Sequence, residues 1–150
     1  MSSQVLYSEN ESVAIITINR PERLNTLTEE VIDGVAASID RATANDAVSA
    51  VVLRGEGKNV SAGYDLDAFL ENNDGPSSEI WDPVKDYRSM SANVGKFMKI
   101  WECPKPVIAE VSGWAIGGAT DLLLCADLMF MASDAHIGYA PSRIYGTPTT

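Results

Sequence analysis

Residues Val13, Ala14, Ile15, Ile16, Thr17 and Ile18 form an apolar, β-branched run, and Asn19, Arg20, Pro21, Glu22 and Arg23 follow it. The run predicts a strand. The segment after it predicts a turn, because proline cannot donate to a strand ladder. Thr26 and Glu29 have the T-x-x-E spacing of a capping box. Val31, Ile32, Val35, Ala36 and Ile39 then fall on one face of a helix. Ala50, Val51, Val52 and Leu53 are apolar without a break, which predicts a strand covered on both faces, and Gly55-Glu56-Gly57 ends it. Residues 71–82 are acidic and rich in Asn, Gly and Ser, a loop composition. Val84, Tyr87, Met90, Val94, Phe97 and Trp101 recur at helical spacing, which predicts a helix whose stripe packs into the core. Pro104 and Pro106 stop that helix. Residues 107–111 predict a strand, 113–118 a glycine-rich turn, 119–126 a short helix and 128–131 a further strand. Strands alternating with helices give the α/β class with mainly parallel pairing, and no fixed-period repeat is present.

Composition narrows the functional classes. The chain has 150 residues, 45% hydrophobic and 21% charged, enough for one domain with a real core. The net charge of −10 disfavours nucleic-acid binding, which needs cations to neutralise phosphates. A phosphate-bearing ligand would have to be held by local groups. No apolar run approaches the roughly 20 residues of a membrane span. The first residues carry no basic segment followed by an apolar one, so a cytoplasmic location is expected. Cys103 and Cys125 form no C-x-x-C motif and are expected to be buried free thiols. A single histidine, His136, excludes a His-rich metal site and is expected to be a structural or surface residue, so no metal is assigned.

Two segments concentrate the candidate chemistry. In Ser61-Ala62-Gly63-Tyr64-Asp65, Gly63 permits a tight turn that can aim a peptide N–H into a cleft. In Gly117-Gly118-Ala119-Thr120-Asp121, the first N–H groups of a helix lack internal partners and can hold an oxyanion. Asp121 follows Gly118 by three residues and projects about one turn along the same face. Taken singly, such a glycine turn is also a common packing device, and an Asp near a helix start is also a common cap.

Taken together, the segments resemble the crotonase (enoyl-CoA hydratase/isomerase) family. Asn19-Arg20-Pro21 with Leu24-Asn25 is similar to that family's N-R-P…N segment, and residues 61–65 to its S-A-G-x-D block. Lys105-Pro106-Val107-Ile108-Ala109, Gly113 and Gly117-Gly118 resemble its K-P-V-I-A…G…G-G-G segment, and Cys125-Ala126-Asp127 its C-D. The resemblance runs from about Val13 to Pro148 and implies a spiral of ββα turns. It implies that an acyl-CoA thioester is the substrate, with coenzyme A part of that substrate and no separate cofactor. It also implies a homotrimer or a dimer of trimers, and a place in fatty acid metabolism. Carried over residue by residue, the oxyanion hole falls to the N–H groups of Tyr64 and Gly118, and the first catalytic carboxylate to Asp121. Leu24, Ala62, Gly63, Asp65 and Gly117 become substrate-binding candidates, with Ala62 near the adenine. Asp65 reads more as a structural hydrogen-bonding residue than as a catalyst. Arg20 and Arg23 become neighbours of the phosphates, although Arg23 reads equally well as part of a solvated turn.

The chain departs from the family in three places. Asp121 stands where a glutamate is usual, Ala119 where a third glycine is usual, and Ser142 after Pro141 where the second glutamate would fall. Ser142 cannot act as a carboxylate acid or base, so it is carried over as a substrate-binding position only. Members of the family are also longer than residues 1–150, with helices beyond that point covering the acyl pocket, so these residues alone are expected to be poorly soluble or altered in assembly. The leading expectation is a lyase or isomerase acting on an acyl-CoA. The alternatives are a non-catalytic acyl-CoA-binding protein, a hydrolase with a single carboxylate and a purely structural module.

Overall fold

The computed structural model describes residues 3–68 and 82–140. Among the described residues seven strands are present: β1 Val5–Asn10, β2 Val13–Ile18, β3 Ala50–Gly55, β4 Val107–Val111, β5 Trp114–Ile116, β6 Leu128–Met131 and β7 His136–Gly138. Three helices accompany them: α1 Glu29–Ala44, α2 Pro83–Trp101 and α3 Gly118–Leu124. The large sheet has the order β1-β2-β3-β4-β6. Its first pair is antiparallel and the rest are parallel. A small sheet pairs β5 with β7 in parallel, and single bridges join Leu27 to Tyr64 and Ser61 to Ala115. Along the chain the pattern repeats. A strand of the large sheet leads to a short extended segment in the small layer, and a helix returns to the next strand. This is the α/β spiral of ββα turns.

The core lies between the large sheet and α1. Ile16, Ile18, Val51, Leu53, Val107 and Ala109 meet Val31, Val35 and Ile39, all buried. Burying each such aliphatic side chain stabilises the fold by about 1.5–3 kcal/mol. The predicted face of α1 is therefore the buried one. Its cap is one residue set removed from the expectation. Thr28, not Thr26, is the N-cap, and its Oγ1 accepts from the Val31 amide at 3.2 Å. Thr26 is drawn instead into the candidate site. At the other end of α1, the Lys105 ammonium donates to the carbonyls of Ala42 (2.7 Å) and Asn45 (2.6 Å). Asp127 ties β4 to the segment before β6, accepting from the Val107 amide at 2.7 Å.

Four other expectations need correction. Residues 113–118 are not simply a turn, because β5 lies within them; three residues are too few to show strand periodicity. Strands β1 and β7 were not foreseen, the first because it mixes polar and apolar residues and the second because it is equally short. Strand β3 is not covered on both faces: Val51 and Leu53 are buried, whereas Val52 between them is half-buried. The stripe of α2 is mostly not core. Phe97 is buried, with Ile100 beside it, but Val84, Tyr87, Met90, Val94 and Trp101 are exposed, because α2 enters the core through Phe97 and Ile100 and the rest of the stripe is left uncovered among the described residues. Cys103 and Cys125 are free, as expected, and half-buried. Of the predicted loop, residues 71–81 lie outside the described residues, and Asp82 caps α2 through the amides of Val84 and Lys85. Among the described residues, no helix is long and apolar enough to cross a membrane.

Candidate functional site

The turn after β2 is built around Asn25. Leu24 and Asn25 both take the left-handed conformation, and Asn25 is buried. Its amide nitrogen donates to the carbonyls of Glu56 and Asn59, each at 2.8 Å, and its Oδ1 accepts from the Arg20 amide at 2.8 Å. The N-R-P…N segment is thereby fastened to the loop that leaves β3.

Arg20 points inward. Its Nη1 donates to the Thr26 carbonyl (2.7 Å), the Thr26 hydroxyl (2.9 Å) and Asp65 Oδ2 (3.0 Å). Asp65 also accepts from the Thr26 hydroxyl at 2.8 Å and from the Ala68 amide at 3.1 Å. That backbone bond, aided by Thr26 and Arg20, outweighs burial and holds the carboxyl down at about 2. Arg20 and Asp65 therefore form a clamp joining the turn before α1 to the segment after β3. Arg23 is paired with Asp67 and lies 3.8 Å from Asp65 Oδ1.

The clamp fixes the segment 61–65 against the small layer. Leu27 donates its amide to the Gly63 carbonyl (2.8 Å), and Asp65 returns one to Leu27 (3.1 Å). On the other side, Ser61 donates to the Trp114 carbonyl and Ile116 donates to the Ser61 carbonyl, both at 3.1 Å. Gly63 has φ +91°, and a Cβ there would lie 2.5 Å from the Ile116 carbonyl oxygen and 3.4 Å from the Gly118 nitrogen. Only glycine permits that approach. The Tyr64 ring in turn lies on Gly118, where a Cβ would meet ring carbons at 2.4–2.9 Å. Among the described residues, neither the Tyr64 nor the Gly118 amide has a hydrogen-bond acceptor.

Gly117 caps α3 and donates its amide to the Gly138 carbonyl at 3.0 Å, so β7 helps set the helix start. Asp121 sits in the first turn, half-buried, and burial raises its carboxyl above the ordinary carboxylate range. Burial also raises the Tyr64 phenol, and the charges of Asp121 and Tyr139 add to that rise. Nearby, Leu24, Asn59, Ala62, Trp114 and Ile116 line a shallow depression of about 330 Å³, and a second of about 390 Å³ adjoins it across Leu24 and Ala62. The rings of Trp114 and His136 stack at 4.4 Å along one side.

Leu24, Ala62, Gly63, Tyr64, Gly117, Gly118 and Asp121 thus converge on one region, while Arg20 clamps Asp65, which lines the second depression. Ser142 lies outside the described residues. Among the described residues no group of three His, Cys, Asp or Glu side chains could hold a metal. Sequence reasoning missed the roles of Thr26, Asn59 and Trp114. The Thr26 spacing pointed to a cap instead, and the other two had no local signal.

The arrangement has close counterparts. The profile of the enoyl-CoA hydratase/isomerase family matches residues 8–149. A putative enoyl-CoA hydratase of Thermus thermophilus is 37% identical over 136 residues, covering 91% of this chain and 51% of that protein. A probable enoyl-CoA hydratase of Mycobacterium tuberculosis is 38% identical over 124 residues, covering 83% and 45%. Among solved structures, an enoyl-CoA hydratase/isomerase from Xanthobacter autotrophicus Py2 superimposes with a TM-score of 0.84 at 36% identity, covering 98% of this chain and 52% of that one. The chain spans about half the length of these relatives. Sequence and fold agree that the chain belongs to the enoyl-CoA hydratase/isomerase, or crotonase, family.

Proposed function

We propose that this protein binds an acyl-CoA thioester, holds the carbonyl oxygen between the main-chain amides of Tyr64 and Gly118, and moves a proton on the acyl chain with Asp121. The observation that carries this reading is the contact between the two glycine segments. Gly63 presses on Ile116 and Gly118 across a gap that a methyl group would close, and the two amides beside that contact have no acceptor among the described residues. Removing a proton next to a thioester places negative charge on the carbonyl oxygen. Fixed donors stabilise that charge, and loss of one donor typically lowers the rate on the order of 10²–10³-fold. Asp121 is suited to accept the proton because burial raises its pKa toward the range in which a base and its conjugate acid can both take part. Leu24, Ala62, Trp114 and Ile116 around the first depression form the apolar side of the groove. For the whole protein we propose a homotrimer or a dimer of trimers, to be checked by sedimentation.

The test combines calorimetry with a panel of saturated and enoyl-CoA esters, proton exchange at the acyl chain in D2O, and loss of the conjugated thioester absorbance. Saturable binding with exchange that Asp121→Asn removes is the expected result. Saturable binding with no exchange and no product would leave a CoA-ester-binding protein instead. No binding of any CoA ester would end the reading.

A further inference from the structure

Tyr64 brings two groups to this region, and the reading above uses only its main-chain amide. Its ring lies against the start of α3. A Cβ on Gly118 would lie 2.4 Å from Cε2, 2.7 Å from Cδ2 and 2.9 Å from Cζ, the carbon that bears the phenol oxygen. Asp121 projects from the same first turn of the helix. Tyr64 is 43% exposed and is among the residues lining the second depression.

Burial raises both the Tyr64 phenol and the Cys125 thiol, and the charge of Asp121 adds to each rise. The Cys125 thiol donates to the Asp121 main-chain carbonyl at 3.4 Å and belongs to the helix itself. The Tyr64 phenol comes from a different turn of the spiral, on the side where the two glycine segments meet.

Resting on the acyl-CoA reading, and on double-bond isomerisation as the reaction the family name already carries, we propose that the Tyr64 phenol is a catalytic proton donor that works with Asp121. Asp121 as carboxylate takes a proton from one carbon, and the electron pair of that C–H bond passes into the thioester as a dienolate. The Tyr64 O–H bond then breaks, its proton forms a C–H bond at a different carbon, and a phenolate remains. The proton on Asp121 passes to the phenolate, directly or through one water, and restores both groups. This last transfer is downhill because a phenolate is far more basic than a carboxylate. The step is a net isomerisation and needs no oxidant or co-reactant. A donor must stay protonated at neutral pH, and burial together with the adjacent carboxylate keeps the phenol so.

The experiment uses the full chain with Tyr64→Phe, which keeps the amide and the ring and removes one oxygen. With a β,γ-enoyl-CoA in D2O, the variant should bind the ester as the wild type does and still exchange the proton that Asp121 removes. It should isomerise on the order of 10²-fold more slowly. The alkaline limb of its kcat profile should also be absent, with an unchanged thermal midpoint. Tyr139→Phe, prepared alongside, should isomerise as the wild type does. Wild-type isomerisation by Tyr64→Phe would reject the phenol and leave the thioester reading standing, as would loss of the rate in Tyr139→Phe alone. Loss of ester binding together with turnover would also overturn the proposal, by making the ring a positioning element. A wild-type protein that neither binds nor exchanges any CoA ester would overturn both readings.

Discussion

The Tyr64 ring rests on the Gly118 α-carbon so closely that one added methyl group would lie 2.4 Å from its edge. The clash is with a side chain that can swing away, not with backbone. Gly118→Ala should therefore fold with a thermal midpoint within a few degrees of the wild type, because side-chain displacement costs about 1 kcal/mol. Turnover should fall by at least tenfold as the ring moves out of place. Calorimetric unfolding and ester turnover measured on one preparation check the pair of outcomes.

Gly63→Ala should behave in the opposite way. Its φ of +91° is strained for alanine, and the atom in the path is the Ile116 carbonyl oxygen at 2.5 Å, which belongs to a strand. A loss of about 2–3 kcal/mol is expected, read as a lower urea midpoint with an unchanged slope.

Asn25→Ala should lower stability by about 2–4 kcal/mol. It leaves the Glu56 and Asn59 carbonyls without their donor and keeps a side chain in the left-handed region. Asn25→Gly relieves the backbone but not the lost bonds. It should recover only a fraction of the loss, and full recovery in urea titrations would show the amide to be dispensable.

Acid should weaken the clamp at Asp65. The folded carboxyl sits at about 2 against an ordinary 3.8. As pH falls from about 4 toward 2, the unfolded chain takes up a proton before the folded one does. The stabilisation, about 2 kcal/mol, is present above the unfolded pKa and is lost through that window. The stability difference between wild type and Asp65→Asn should accordingly shrink as pH falls from 4 to 2.

Asp121 has the opposite sign. Its folded pKa is raised by burial, so keeping the carboxylate in the fold costs stability once pH rises above the folded pKa. Asp121→Asn should therefore raise the thermal midpoint while removing proton exchange, a trade common at active sites. A lowered midpoint would make Asp121 a structural residue.

Much of the fold was legible because it is written in local pattern. The runs at β2, β3 and β4 and the buried face of α1 were legible because one face of each meets the same core, whereas β6 was legible from its apolar run although Leu128, Phe130 and Met131 are exposed. The α2 stripe misled because spacing reports an apolar face but not whether anything covers it. The motif residues divide in a way that spacing could not reveal. Asn25, Asp65, Lys105 and Asp127 all fasten backbone to backbone or loop to loop. Gly63 and Gly118 shape the groove. Thr26 and Trp114 were illegible because their partners lie in segments distant along the chain.

In the large sheet, β1, β2, β3, β4 and β6 stand side by side in the order in which they occur along the chain. Each newly made strand therefore finds its neighbour already finished, and no strand must be inserted between two others. During synthesis the strands can therefore join the sheet one after another, each adding to the edge left by the one before.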